Sequence, residues 1–96
     1  MDGRTMSYRI DYSDDVQKTI KKWKKSNPIG FKKFYRLLPE LEQHPRTGTG
    51  HPEPLKGVND ITYARRLSAH DRIIYDIYVH VVTVLVVSVE GHYKDK

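Results

Sequence analysis

The chain contains no cysteine, and this absence narrows its chemistry. It excludes disulfides, thiol nucleophiles and cysteine-ligated zinc, and it fits a reducing compartment, so we expect a cytoplasmic protein. No apolar run reaches the roughly 20 residues that span a membrane. The first six residues also lack the apolar stretch of a secretory signal. The sequence therefore predicts neither a membrane protein nor a secreted protein.

The length of 96 residues leaves little room for more than one hydrophobic core. We expect a single domain over residues 1–96, with no second domain and no bulky cofactor. Residues 1–5, which precede Met6, are interpreted as an extension, and residues 94–96 as a short tail. The sequence implies no metal or organic cofactor.

Acidic residues are too few to balance the basic ones in the first half of the chain, which has 11 Lys and Arg but 6 Asp and Glu; the second half has 6 of each. The whole chain carries a formal charge of +5. Such a concentration of positive charge predicts an anionic partner, as nucleic-acid-binding proteins have.

The order of predicted elements is β-α-α-β-β-β, an α+β fold with two helices packed on one face of an antiparallel sheet. Ser13 and the Asn27-Pro28 pair are the start signals of the two helices. The apolar side chains that we expect each helix to bury are Val16, Ile20 and Trp23 in the first, and Phe31, Phe34, Tyr35, Leu38 and Leu41 in the second. The predicted strands are Tyr8 to Tyr12, Ile61 to Ser68, Arg72 to Tyr78 and Val81 to Glu90.

Glu53 stands between two prolines in a loop, residues 44–54, for which proline and glycine predict no regular structure. Pro52 and Pro54 restrict the backbone around this carboxylate and hold it in an extended conformation. A general base needs such a fixed position. The alternative interpretation is a solvated loop glutamate.

Three arginines, Arg65, Arg66 and Arg72, lie on or beside neighbouring predicted strands. Arginine suits a phosphate group because its planar fork stays charged. Strand alternation sends Arg65 and Arg66 to opposite faces, so at most one shares a face with Arg72. Lys56 is a further candidate phosphate ligand. The alternative is that these cations are surface residues paired with nearby carboxylates.

His92 and Tyr93 follow the last predicted strand after a single glycine, Gly91. Histidine exchanges protons near neutral pH and can protonate a leaving oxygen, and tyrosine can stack on a base. The alternative is a frayed terminus. The other four histidines show no metal-ligand spacing and are interpreted as loop or surface residues.

The first helix carries five lysines within eight residues and no acid among them, including Lys18, Lys22 and Lys25. A solvated helix face is the ordinary explanation. Their mutual repulsion would be relieved by a polyanion, so we count these three as candidate RNA-binding residues. Together, a base, an arginine and an acid fit metal-free RNA cleavage.

Four ordered motifs resemble the YoeB/Txe family of bacterial type II toxins, within the RelE-like group with its microbial-RNase-like fold. They are Pro52-Glu53-Pro54-Leu55-Lys56, Arg65-Arg66, Arg72-x-x-Tyr75 and His92-Tyr93. The resemblance covers about residues 8–93. It implies an endoribonuclease that enters the ribosomal A site, cuts messenger RNA there and so inhibits translation.

The resemblance also implies roles for single residues. Glu53 would be the general base, His92 the general acid and Arg72 the group that stabilises the transition state. The residues that would bind the RNA are Arg66 and Lys56 at phosphates, Tyr93 at the scissile nucleotide, and Arg65, which ranks lower because alternation turns it away.

The expected partners follow from the same resemblance. They are the small ribosomal subunit with its messenger, an antitoxin of the YefM/Axe kind, operator DNA through the antitoxin complex only, and a second copy of the toxin. Two other functions stay open at this stage. One is a non-catalytic domain that binds RNA or the ribosome, and the other is a toxin of the same fold that acts on DNA gyrase.

Overall fold

A computed structural model describes residues 7–55 and 61–90, with the side chain of Glu90 excepted. A 3₁₀ turn, Val79–Val81, precedes the last strand. In chain order, the helices and strands are β1 (Arg9–Tyr12), α1 (Asp14–Ser26), α2 (Pro28–Gln43), β2 (Glu53–Pro54), β3 (Thr62–Arg66), β4 (Arg72–Tyr78) and β5 (Thr83–Glu90).

Helix α1 begins as the sequence predicts. The Ser13 hydroxyl accepts a hydrogen bond from the Val16 amide at 3.2 Å, and two aspartates occupy the first turn, where the helix dipole favours them. Val16, Ile20 and Trp23 are buried, which confirms the predicted apolar face. Neither described helix is both long and apolar enough to pass through a bilayer.

Helix α2 also starts at its predicted signal, with the Asn27 side chain accepting from the Gly30 amide at 3.2 Å and proline at the first turn. The helix continues past Pro39 for four residues. Leu37 is buried, whereas Tyr35, which we expected in the apolar stripe, is 50% exposed.

The five strands form one sheet in the order β1-β5-β4-β3-β2. The predicted antiparallel sheet is correct for four strands, but β1 runs parallel to β5, so the sheet is mixed. Parallel neighbours need a crossover connection, and most of the chain lies between these two strands. Short-range signals could not reveal this pairing.

The prediction of no regular structure in residues 44–54 is wrong for Glu53 and Pro54, which form the edge strand β2. Glu53 lies opposite Ala64 on β3, and the Leu55 amide donates to the Thr62 carbonyl at 2.9 Å. Proline cannot donate to a ladder but is compatible with an edge strand. The edge position thus reconciles the two prolines with strand pairing.

The two faces of the sheet have different surroundings. Helices α1 and α2 cover the side chains of one face, and the core residues on β4 and β5 are Ile73, Tyr75, Ile77, Val84, Val86 and Val89. A register shift beside Ile74 and Tyr75 reverses the alternation of β5, because Val86 lies opposite Tyr75 and Ser88 opposite Ile74. Such a β-bulge changes which positions of a strand face the core. Here it turns Val89 inward.

Candidate active site

Glu53, Arg66 and Arg72 come from three strands and share the face opposite the helices. Arg66 lies directly opposite Arg72, and Glu53 lies opposite Ala64, two residues before Arg66. Residues paired across strands point to the same face, as do residues two apart on one strand. The topology therefore places one carboxylate and two guanidinium groups on a common surface.

These three side chains line one pocket of about 400 Å³. Its wall continues through the turn between β3 and β4 and through the end of the loop before β2. Glu53 and Arg66 are exposed, and Arg72 is half-buried. The pocket thus places an accessible carboxylate near two cations. The carboxylate can accept a proton while the guanidinium groups bind an anion.

The backbone just before Glu53 turns sharply. Gly50 has a φ of 88° and His51 a φ of 52°, the left-handed region that non-glycine residues seldom adopt. The Gly50 carbonyl accepts from the Arg66 amide at 2.8 Å, which holds the end of the loop to β3. These contacts set the point from which Glu53 enters the sheet.

Arg72 is preceded by a hydrogen-bonded turn. The buried Asp71 carboxylate accepts from the Asn27 amide group at 3.2 Å and from the Ser68 hydroxyl at 2.7 Å. The Leu67 amide donates to the Asp71 carbonyl at 2.8 Å. The start of β4, and with it Arg72, is therefore anchored to the junction of the two helices.

Arg65 is buried, with 1% of its surface exposed, on the helix-covered face. Its guanidinium donates to the Glu40 carboxylate at 3.2 Å and to the carbonyls of His44 and Pro45 at 2.9 and 3.2 Å. It also lies beside Tyr75, where burial raises the pKa of the phenol although the guanidinium opposes that shift. Alternation along β3 points Arg65 at the helices, where its guanidinium binds groups of the protein itself. Its side chain is therefore not exposed to contact RNA, as we had expected it to be.

The other candidate residues lie elsewhere. Lys18 and Lys22, like Lys25, are exposed on α1, in the helical layer and not along the pocket. His92 and Tyr93 lie outside the described residues, as does Lys56.

Two histidines that we interpreted as loop or surface residues, His51 and His70, also line the pocket. Both are exposed, as that interpretation has it, but their place beside Glu53 and Arg72 was missed. A signal was present, since each stands two residues before one of the proposed catalytic side chains. Their alignment on one pocket depends on the pairing of β2, β3 and β4, which short-range patterns do not reveal.

The family model for the YoeB-like toxin of bacterial type II toxin–antitoxin systems matches residues 12–93. The chain belongs to this family. A comparison with curated protein sequences gives no match.

Solved structures of YoeB and RelE toxins resemble this YoeB-like chain. A YoeB/ParE toxin from Agrobacterium tumefaciens has a TM-score of 0.78 at 24% identity, over 88% of this chain and 99% of that one. The YoeB-YefM complex from Staphylococcus aureus has a TM-score of 0.74 at 25% identity, over 90% of this chain and 98% of that one. The archaeal RelE-RelB complex from Pyrococcus horikoshii has a TM-score of 0.76 at 21% identity, over 94% of this chain and 100% of that one. The RelE-like fold is thereby confirmed, and the chain is a toxin of the type II class.

Proposed function

We propose that this YoeB-like toxin is a ribosome-dependent endoribonuclease that cuts messenger RNA in the A site and so inhibits translation. The observation that carries the proposal is the convergence of Glu53, Arg66 and Arg72 on one accessible pocket. A binding domain needs only cations for a phosphate backbone. A carboxylate among them repels a phosphate, so a role in binding alone does not explain Glu53, whereas a role as general base does.

In the proposed reaction, the Glu53 carboxylate takes the proton of a 2′-hydroxyl, and the freed oxygen attacks the adjacent phosphorus. Arg72 stabilises the negative charge that develops on the phosphate oxygens, as preorganised cations do in such transition states. His92 gives a proton to the leaving 5′-oxygen as its bond to phosphorus breaks. The products are a 2′,3′-cyclic phosphate and a 5′-hydroxyl, and no metal takes part.

The remaining residues bind the substrate. Arg66 and Lys56 contact phosphates, and Tyr93 stacks on or orients the scissile nucleotide. The α1 surface of Lys18, Lys22 and Lys25 contacts ribosomal RNA at longer range. This interaction is electrostatic, so it adds affinity without sequence preference.

The family also suggests the partners of this toxin in the cytoplasm. We propose an antitoxin of the YefM/Axe kind, because similar folds occur in the YoeB-YefM complex from Staphylococcus aureus. A YoeB dimer from the same organism suggests a homodimer as a further state. Operator DNA would be bound through the antitoxin complex and not by the toxin alone.

The test is primer extension on a messenger in a purified translation system, with and without ribosomes. We expect an A-site cut that needs ribosomes and falls by about 10²–10⁴ with Glu53→Gln, since general base catalysis contributes that much. Asp15→Asn is the matched control, because Asp15 is exposed in the first turn of α1, away from the pocket. Co-sedimentation with ribosomes should be retained by both variants. If Glu53→Gln cuts like the wild type, the assigned mechanism is wrong.

Three histidine variants test which residue is the general acid: one at His92, and one at each of the two pocket histidines, His51 and His70. His92→Gln should lower cleavage by about 10²–10⁴, whereas His51→Gln and His70→Gln should have smaller effects. Loss of activity with His51→Gln or His70→Gln instead would move the role of the acid to that histidine. Arrest of translation without a cut would identify a ribosome-binding inhibitor, and absence of arrest would favour gyrase as the target.

A further inference from the structure

The interior partners of Arg65 form a cluster that contacts the loop before the proposed base. An arginine is seldom fully buried unless its charge is paired. Here the Glu40 carboxylate supplies the opposite charge, 3.2 Å from the Arg65 Nη1. The carbonyls of His44 and Pro45, at the start of the loop, both accept from the other terminal nitrogen, Nη2. The cluster therefore joins α2, β3 and the first residues of the loop.

Tyr75 on the neighbouring strand contacts the same part of the loop. Its hydroxyl donates to the Pro45 carbonyl at 2.6 Å and accepts from the Arg65 Nε at 3.3 Å. The ring is fully buried in the core. The Pro45 carbonyl is thus held by two side chains that are themselves fixed by packing. We call Glu40, Arg65 and Tyr75 the loop anchor.

The loop anchor also reaches the far end of the loop. The Glu40 carboxylate accepts from the Thr49 amide at 2.5 Å, and Thr49 precedes the glycine whose carbonyl pairs with Arg66. A side chain on Gly50 would press on the Arg66 carbonyl and lie 2.8 Å from the Arg65 Cγ. The loop therefore lies tightly against β3.

Strand pairing alone positions Glu53 weakly. Strand β2 has two residues and lies at the sheet edge, so little ladder hydrogen bonding supports it. Glu53 follows Gly50 by three residues and lies opposite Ala64, the neighbour of Arg65. The loop anchor consequently contacts both the chain that leads to Glu53 and the strand that pairs with it.

We propose that Glu40, Arg65 and Tyr75 are positioning residues that hold the 44–50 loop and thereby place the Glu53 carboxylate in the pocket. The catalytic part of this inference rests on the proposed RNA cleavage by Glu53. Small displacements of a base lower the rate of proton transfer steeply, so an anchor far from the substrate affects the chemical step. It should leave ribosome binding unaffected.

Tyr75→Phe is the mildest test, because it removes the hydrogen bond from the hydroxyl to the Pro45 carbonyl and the one that the hydroxyl accepts from Arg65, and keeps the buried ring. The single-turnover cleavage rate at saturating ribosomes should fall by about threefold to tenfold, the loss that one hydrogen bond produces. The half-saturating ribosome concentration should be unchanged. Amide hydrogen exchange at Thr49 and Arg66, measured on the free toxin, should become faster.

Tyr63→Phe is the matched control, since its ring stacks on Tyr75 with centroids 6.1 Å apart and no hydrogen bond of its hydroxyl is found among the described residues. It should leave both rate and exchange unchanged. Glu40→Gln is the second anchor variant. It removes the charge beside the buried Arg65 and should slow cleavage by about tenfold or more, again without weaker ribosome binding.

Several outcomes would overturn the proposal. In Tyr75→Phe, these are faster amide exchange with an unchanged cleavage rate, or slower cleavage with unchanged exchange. A third is that Tyr63→Phe has the same effects as Tyr75→Phe. If the wild type itself does not cut RNA, the proposed function fails separately. The anchor is then tested by the Glu53 amide chemical shift, which should move in Tyr75→Phe and not in Tyr63→Phe; an unmoved signal in Tyr75→Phe rejects the anchor.

Discussion

Arg66 and Arg72 lie directly opposite each other on β3 and β4, on the face of the sheet that carries the pocket. Like charges at directly opposite positions destabilise a pair of strands. Both arginines lie beside the Glu53 carboxylate of β2. An anionic substrate in the pocket would contact both cations, so a role in substrate binding explains why this destabilising pair is present. Functional sites are where such local conflicts are expected.

Arg72→Lys should lower the single-turnover cleavage rate by about 10²–10³, because lysine keeps the charge but loses the planar fork. Arg66→Lys should act mainly on the half-saturating ribosome concentration, since we assign it to phosphate binding. Primer extension over a ribosome titration measures both the cleavage rate and the half-saturating ribosome concentration. If the two variants behave alike, the separate roles of the two arginines are wrong.

The lysines of α1 should govern affinity and not chemistry. Lys18, Lys22 and Lys25 are exposed on the side opposite the buried face of the helix. Changing all three to glutamine should weaken ribosome binding about tenfold or more and make it less dependent on salt, with an unchanged rate at saturation.

The control for the lysine series is a change of the opposite sign on the same helix. Asp14→Asn combined with Asp15→Asn removes two negative charges from the first turn and should strengthen binding slightly. Co-sedimentation at several salt concentrations measures both series. A lower saturated rate in the triple lysine variant would contradict a role in affinity alone.

Asn27→Ala should lower the free energy of unfolding by about 1–3 kcal/mol. Its side chain caps α2 at the Gly30 amide and donates to the buried Asp71 carboxylate, so both partners lose a hydrogen bond. Urea unfolding measures the change. Ser26→Ala is the control, because this hydroxyl is exposed and, within residues 7–55 and 61–90, bonds only to the Lys22 carbonyl of its own helix. Equal losses in the two variants would refute the junction role of Asn27.

Tyr75 should make stability fall at alkaline pH. Burial raises the pKa of its phenol above the ordinary value, which is about 10, and the nearby Arg65 only partly opposes this. The folded protein therefore favours the neutral phenol. This stabilisation is complete below about pH 10 and is lost as the pH rises through the raised folded pKa.

Melting temperatures of the wild type and Tyr75→Phe, recorded from about pH 8 to about pH 11, test this dependence. The wild type should be the more stable at the lower end, and the difference should shrink above about pH 10. Because both proteins carry the same lysines, their loss of charge cancels in the comparison. A difference that stays constant would contradict the assigned cause.

Local signals were enough for much of the fold. Ser13 and Asn27 cap the two helices where the sequence predicts, because a cap depends on a few adjacent residues. Strand β4 has its predicted limits, and alternation separates Arg65 from Arg66. The family motifs also lie in short stretches. These features are carried by neighbouring residues, so the sequence can display them.

Tertiary structure decided the relations between distant segments. The parallel pairing of β1 with β5 joins the two ends of the described chain. The edge strand formed by Glu53 and Pro54 and the bulge in β5 each depend on the register with a neighbouring strand. Tertiary structure also decided the surroundings of Arg65, whose ligands come from α2, the following loop and β4. The amino-acid sequence by itself determined which side chains are available for chemistry, because residue type and alternation are local properties. Only the folded chain decided which of them share a pocket and which hold it in place, because that depends on which strands pair.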